Sequence, residues 1–138
     1  MAKILVVEDE SATAQIICNF LVQLKHQVAS AVEGGLQSIQ VASETHPDLI
    51  LMDIHLSGEM DGIAAADRIY QQLQIPIIYI SATTEDEILN QATAIATSAF
   101  GYLVKPFNQL QLQAAINVAL RRHRLEKQLV LYQFLVDG

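Results

Sequence analysis

Two rhythms of apolar residues alternate along the chain. The first is the short unbroken run: Ile4-Leu5-Val6-Val7, Leu49-Ile50-Leu51-Met52, Ile77-Ile78-Tyr79-Ile80 and Tyr102-Leu103-Val104. Runs of this length read as strands buried on both faces, the habit of a parallel sheet covered by helices. Residues 26–32 have the β-branched character of a further strand, second in chain order. The other rhythm is helical spacing. Ala12, Ile16, Ile17, Phe20, Leu21 and Leu24 fit one face of a first helix, and Leu36, Ile39 and Ala42 a second. Ile63, Ala66, Ile69, Tyr70 and Leu73 fit a third, and Ile88, Leu89, Ala92 and Ile95 a fourth. Leu110, Leu112, Ala115, Ile116 and Ala119 open a long last helix. The punctuation agrees: acids and Ser11 suit the first helix start, Pro47 and Pro76 precede strands, and Asn108 caps the last helix. Five strands alternating with five helices predict an α/β fold with right-handed crossovers and a parallel sheet between two helical layers.

Composition narrows the class. At 138 residues the chain is one domain, long enough for a substantial core, and its 51% apolar and 17% charged content exclude disorder. No apolar stretch reaches the roughly 20 residues that span a bilayer. Glu8 interrupts the first run before it could serve as a signal-peptide core. The single cysteine, Cys18, excludes an internal disulfide, fits a reducing cytoplasm, and falls on the apolar side of a helix as core filler. A net charge of −7 argues against general affinity for nucleic acid or anionic membrane. It is compatible with a carboxylate pocket that binds a cation.

Chemistry gathers where the strands end. The first strand ends on Glu8 and Asp9, the third on Asp53, the fourth on Ser81 and the fifth on Lys105. In a parallel sheet these carboxyl ends share one edge, where open α/β folds place their ligand crevice. Taken singly, each has an ordinary reading: Glu8-Asp9 as a helix cap, Asp53 as a turn-capping acid, Lys105-Pro106 as a surface lysine before a turn, Ser81 as a loop hydroxyl. Their shared register is harder to assign to chance. Three clustered carboxylates repel unless a cation neutralises them, and Mg²⁺ suits oxygen ligands and phosphate. A carboxylate is already an anionic nucleophile, so Asp53 could accept a phosphoryl group with Lys105 and Ser81 binding its oxygens.

The blocks Ile4-Leu5-Val6-Val7-Glu8-Asp9-Glu10, Leu51-Met52-Asp53, Met60-Asp61-Gly62, Ile80-Ser81-Ala82 and Tyr102-Leu103-Val104-Lys105-Pro106-Phe107 resemble the signature blocks of two-component response-regulator receiver domains. The resemblance covers about residues 2 to 122 and implies a flavodoxin-like (βα)₅ fold with strand order 2-1-3-4-5. It also implies the site: Asp53 as phosphoacceptor, Glu8, Asp9, Asp53 and the main-chain carbonyl of His55 holding Mg²⁺, and Ser81 and Lys105 on the phosphoryl group. A cis bond to Pro106 and a switching aromatic at Tyr102, coupled to Ser81, belong to the same pattern. The implied donor is a histidine kinase or histidine phosphotransfer protein, and the implied role a switch rather than a turnover enzyme.

Departures touch the surroundings of the nucleophile. Glu8 stands where Asp is also usual, Ser57 where the family often has proline, and Ser98 where glycine is common. The 57–60 loop is one residue longer than in the family pattern, and the resemblance places His55 and Thr83 at positions that in this family tune phosphoryl lifetime.

Beyond residue 122 the last helix continues through Arg121-Arg122-His123-Arg124 into Leu125, Leu129, Tyr132 and Val136, stepped by four, three and four. That stripe resembles a short coiled-coil seam. The basic cluster reads as a solvated face with pairs such as His123–Lys127 or Arg122–Glu126 rather than a nucleic-acid site. We therefore divide the chain into a receiver at 1–122 and a helical extension at 123–138. The exposed stripe wants a second copy or a covalently attached output domain. A homodimer could form there, or on the face of the fourth helix, fifth strand and last helix. The competing function is a phosphorylation-independent interaction module. A flavin site lacks support, because the first strand–helix turn is acidic and not glycine-rich.

Overall fold

The computed structural model describes residues 1–82 and 99–137. Its elements are β1 (Lys3–Val7), α1 (Ser11–Gln23), β2 (Gln27–Val32), α2 (Gly35–Thr45), β3 (Leu49–Asp53), α3 (Gly62–Leu73), β4 (Ile77–Ser81), β5 (Ala99–Val104) and α4 (Gln109–Asp137). The strands form one parallel sheet in the order β2-β1-β3-β4-β5. The helix expected over Ile88–Ile95 lies outside the described residues, as do Thr83 and Ser98.

The period-two geometry of a strand sorts the apolar runs into two cores. Leu5, Val7, Ile50, Met52, Ile77 and Tyr79 point to one side, where α2 and α3 add Ala42, Ala65 and Ile69. Ile4, Val6, Leu49, Leu51, Ile78 and Ile80 point to the other, closed by Ile17 and Leu21 of α1 and by Leu112, Ile116 and Ala119 of α4. Every residue of β3 and β4 is buried. Each such Ile or Leu contributes roughly 1.5–3 kcal/mol, so the central strands hold the carboxyl edge rigidly.

Helical faces differ in detail from the expected ones. Ile16, Leu36 and Leu110 are exposed. In α2 the inward line is Gly35, Ser38 and Ala42, because Gly35 lies against the chain at Met60, where an added Cβ would sit 2.8 Å from the carbonyl oxygen. Small residues therefore take the face that Leu36 was expected to share. In α4 the inward positions Leu112, Ile116 and Ala119 leave Leu110 on the far side. β5 begins at Ala99, three residues before the apolar run suggested, since Ala99 and Phe100 are buried and Gly101 closes on Ile78. β2 begins at Gln27; the His26 ring instead accepts from the Ala2 amide at 3.1 Å and meets Gln113 at 2.9 Å.

Asn108 caps α4 as expected. Its Oδ1 accepts from the Gln111 amide at 2.7 Å, and its own amide donates to Gln111 Oε1 at 2.9 Å. α1 starts at Ser11 with the acid Glu10 in the cap position, as expected, although Glu10 makes no side-chain cap bond. Among the described residues no helix is long and apolar enough to cross a membrane.

Candidate functional site

β1 and β3 are neighbours in register, Val7 opposite Met52, so the residues that follow each strand emerge side by side. Glu8, Asp9 and Asp53 each bring a carboxylate oxygen to within 4.8 Å of the others. Glu8 and Asp53 are buried, at 2% and 4% exposure, while Asp9 is half-buried. β5 delivers Lys105 to the same place from the far side of β4, its amide bonded to the Ser81 carbonyl at 2.8 Å. Lys105 Nζ donates to Asp53 Oδ2 at 3.0 Å and to Glu8 Oε1 at 2.5 Å. The Lys105–Pro106 peptide bond is cis.

Backbone donors fix the other carboxylate oxygens. The His55 amide donates to Asp53 Oδ1 at 2.9 Å, the Ser57 amide to Asp9 Oδ2 at 3.0 Å, and the Glu10 amide to Glu8 Oε2 at 3.3 Å. Asp53 thus presents one oxygen to an amide and one to an ammonium. The β3–α3 loop is pinned by Gly62, whose amide donates to the Ile54 carbonyl at 3.1 Å. A Cβ on Gly62 would lie 1.9 Å from the Asp53 carbonyl oxygen, so only glycine lets α3 start this close to the nucleophile. Asp61 caps α3 by accepting from the Ala64 amide at 2.8 Å.

Charge follows burial. Desolvation, joined by the nearby Asp53 and only partly offset by Lys105, pushes the Glu8 carboxyl up to about 7. The Ser57 amide lowers Asp9, which stays ionised. Burial works against the Lys105 ammonium, but its bonds to Glu8 and Asp53 outweigh that and raise it. One cation thus serves two of the three acids, Glu8 and Asp53, and Asp9 is left with backbone partners alone. A hard divalent ion with oxygen ligands is the group this set fits, and carboxylates with room for water suit Mg²⁺.

Of the residues singled out from sequence, Glu8, Asp9, Asp53 and Lys105 meet directly. Ser81 is buried at the end of β4, one residue along from Ile80, the register partner of Asp53. His55 is exposed, and its amide meets the Asp53 side chain. Tyr102 is partly buried and stacks on Tyr79 with ring centroids 6.4 Å apart. Three contacts were not visible in the sequence: Lys105 bridging to Glu8, the Ser57 amide on Asp9, and Tyr79 beneath Tyr102. Two of them involve a backbone amide or a buried neighbour, neither of which leaves a mark in residue type.

The family comparison agrees with this geometry. The model of the response regulator receiver domain matches residues 4–117, and the chain belongs to that family, the phosphorylation-responsive receivers of two-component signalling. Among curated relatives it is 32% identical over 126 residues to the transcriptional regulatory protein AfsQ1 of Streptomyces coelicolor, covering 91% of this chain and 54% of that protein. It is 29% identical over 120 residues to the probable transcriptional regulator ycf27 of Porphyridium aerugineum, covering 87% and 48%. The chain therefore spans about half the length of these relatives. Among solved structures, the signal receiver domain of a modulated diguanylate cyclase from Desulfovibrio desulfuricans is similar with a TM-score of 0.83 and 30% identity. That match covers 91% of this chain and 98% of the other.

Proposed function

We propose that Asp53 accepts a phosphoryl group from a phosphohistidine and that residues 1–122 form the receiver that responds. The observation that carries this reading is the Asp53 carboxylate held between an amide and Lys105, with Glu8 and Asp9 converging on the same point. In the step, an Asp53 oxygen attacks phosphorus in line, forming the O–P bond as the N–P bond of the donor imidazole breaks. The leaving nitrogen keeps its electron pair and picks up a proton. Lys105 supplies fixed positive charge to the equatorial oxygens, and the Ser81 hydroxyl donates to one of them. Asp9, Asp53 and the His55 carbonyl would hold Mg²⁺, with Glu8 at longer reach. When bound, the ion neutralises the acids and stabilises charge on the transferred group.

The product is a switch state rather than a released molecule. The acyl phosphate adds charge and acceptor oxygens beside Lys105 and Ser81, so that the loop after β4 and the Tyr102 ring favour a second arrangement. The donor is a histidine kinase or histidine phosphotransfer protein in the cytoplasm, and a second copy of the chain or a covalently attached output domain reads the state. Titration with beryllofluoride and Mg²⁺ tests this. The wild-type protein should show saturable changes at Tyr102 that an Asp53→Asn protein lacks. Equal responses from both would refute it.

A further inference from the structure

We propose that two copies of this chain pair in parallel and in register along α4. The helix runs unbroken from Gln109 to Asp137, and its first half is docked on the sheet through Leu112, Ile116 and Ala119. Val118, Leu125, Leu129, Tyr132 and Val136 are 50–66% exposed. With Arg122 they follow one another at steps of four, three, four, three and four, the a and d positions of a heptad seam. At about 100° per residue the seam lies roughly a third of a turn from the docked face, so pairing leaves the receiver's packing untouched. A groove is already present on that side, lined by Val118, Arg121, Arg122, Leu125, Glu126 and Leu129.

Charge complementarity selects the occupant and its orientation. On this register Arg121 is a g position and Glu126 the e position of the next heptad. A parallel, in-register partner therefore sets each Arg121 against the other copy's Glu126, twice per dimer. Gln128 and Gln133 repeat the spacing one heptad on, as a neutral hydrogen-bonding pair. An antiparallel partner covering the same seam would set Glu126 against Glu126, which repel, and Arg121 beside Leu135, where no acid meets it. The seam's one charged core position is drawn aside: the Arg122 guanidinium donates to the Ala99 carbonyl at 3.2 Å, lies 4.9 Å from the Phe100 ring centre, and bonds Glu126 at 3.1 Å. This pairing is independent of the phosphoryl reading, because no seam residue belongs to the carboxylate site.

Sedimentation equilibrium of the full chain, without Mg²⁺ or phosphoryl mimic, tests it. Wild type and Asp53→Asn should both approach twice the 15.2 kDa chain mass with rising concentration. Arg121→Glu and Glu126→Arg should each weaken dimerisation about tenfold, and the double charge reversal should restore it. Leu129→Cys on a Cys18→Ala background should oxidise to a covalent dimer, since a parallel register puts the two thiols face to face. A monomer at all concentrations, a trimer, or a dimer indifferent to Leu125→Asn with Leu129→Asn would overturn the proposal. Failure of the double reversal to rescue, or of the thiols to cross-link, would overturn the parallel register. Thermal unfolding of each variant at dilute concentration checks that the receiver is intact.

Discussion

Two regions of this molecule invert the usual rule of burial. At the carboxyl edge of the sheet, polar groups are inside: Glu8, Asp53 and Ser81 are buried, with Lys105 reaching in between the acids. On α4 beyond residue 122, apolar groups are outside: Leu125, Leu129, Val130, Leu131, Tyr132, Phe134, Leu135 and Val136 all face solvent. Neither arrangement helps a lone domain fold. A buried acid is costly unless paired, and exposed apolar surface gains nothing until it is covered. Both therefore point to something that arrives, a cation and phosphoryl group at one end and a second helix at the other.

The sharpest way to break the comparison is to force the polar edge apart. Gly62→Ala places a methyl on the Asp53 backbone, and a change of this kind should cost about 3 kcal/mol or more in urea unfolding while displacing the nucleophile. An unchanged midpoint would mean that the edge is looser than described. Within α4, Leu112→Ala should cost about 2–5 kcal/mol, whereas Leu129→Ala at dilute concentration should stay within about 0.5 kcal/mol. Equal costs would erase the distinction between the docked half and the extension.

Removing Lys105 sharpens it differently. Lys105→Met leaves Glu8 and Asp53 without their shared cation and should cost about 1–2 kcal/mol in metal-free buffer, below the usual loss for a buried pair because the ammonium is partly solvated. The loss should grow as pH rises past about 7, where Glu8 ionises, and shrink below it. The sign follows from the raised Glu8 carboxyl. Between its ordinary 4.5 and about 7 the folded protein binds the extra proton, so metal-free stability falls as pH climbs through that window. Lys105 acts at the alkaline end: raised in the folded state, its contribution holds below its ordinary 10.5 and is lost as pH passes the folded value. The same proton also bears on Mg²⁺ affinity. A cation must displace the Glu8 proton, so affinity should fall by up to tenfold for each pH unit below about 7 and level off above it. Calorimetric titration at several pH values would show it.

How much of this could be read from the chain depended on how local each cause was. The strands were legible because a doubly covered strand needs an unbroken apolar run, and the alternation within those runs fixed which core each residue entered. The carboxyl-edge residues were legible because parallel topology alone brings strand ends together. Helical faces were less so. Leu36 fits an apolar stripe, but the approach of Gly35 to Met60 turns α2 onto its small residues. His123 shows the same limit: not paired with Lys127, it sets its ring edge on Phe100 at 5.5 Å, a neighbour from another element. Arg122–Glu126, an i,i+4 pair set by helix geometry alone, forms as expected.

The most direct test of the central claim is to locate the phosphoryl group itself. After incubation with acetyl phosphate and Mg²⁺, peptide mapping should find one acid- and base-labile phosphoryl group, on the peptide that holds Asp53, and none on the Asp53→Asn protein. A phosphoryl group carried by another residue, or incorporation that persists without the Asp53 carboxylate, would contradict the account.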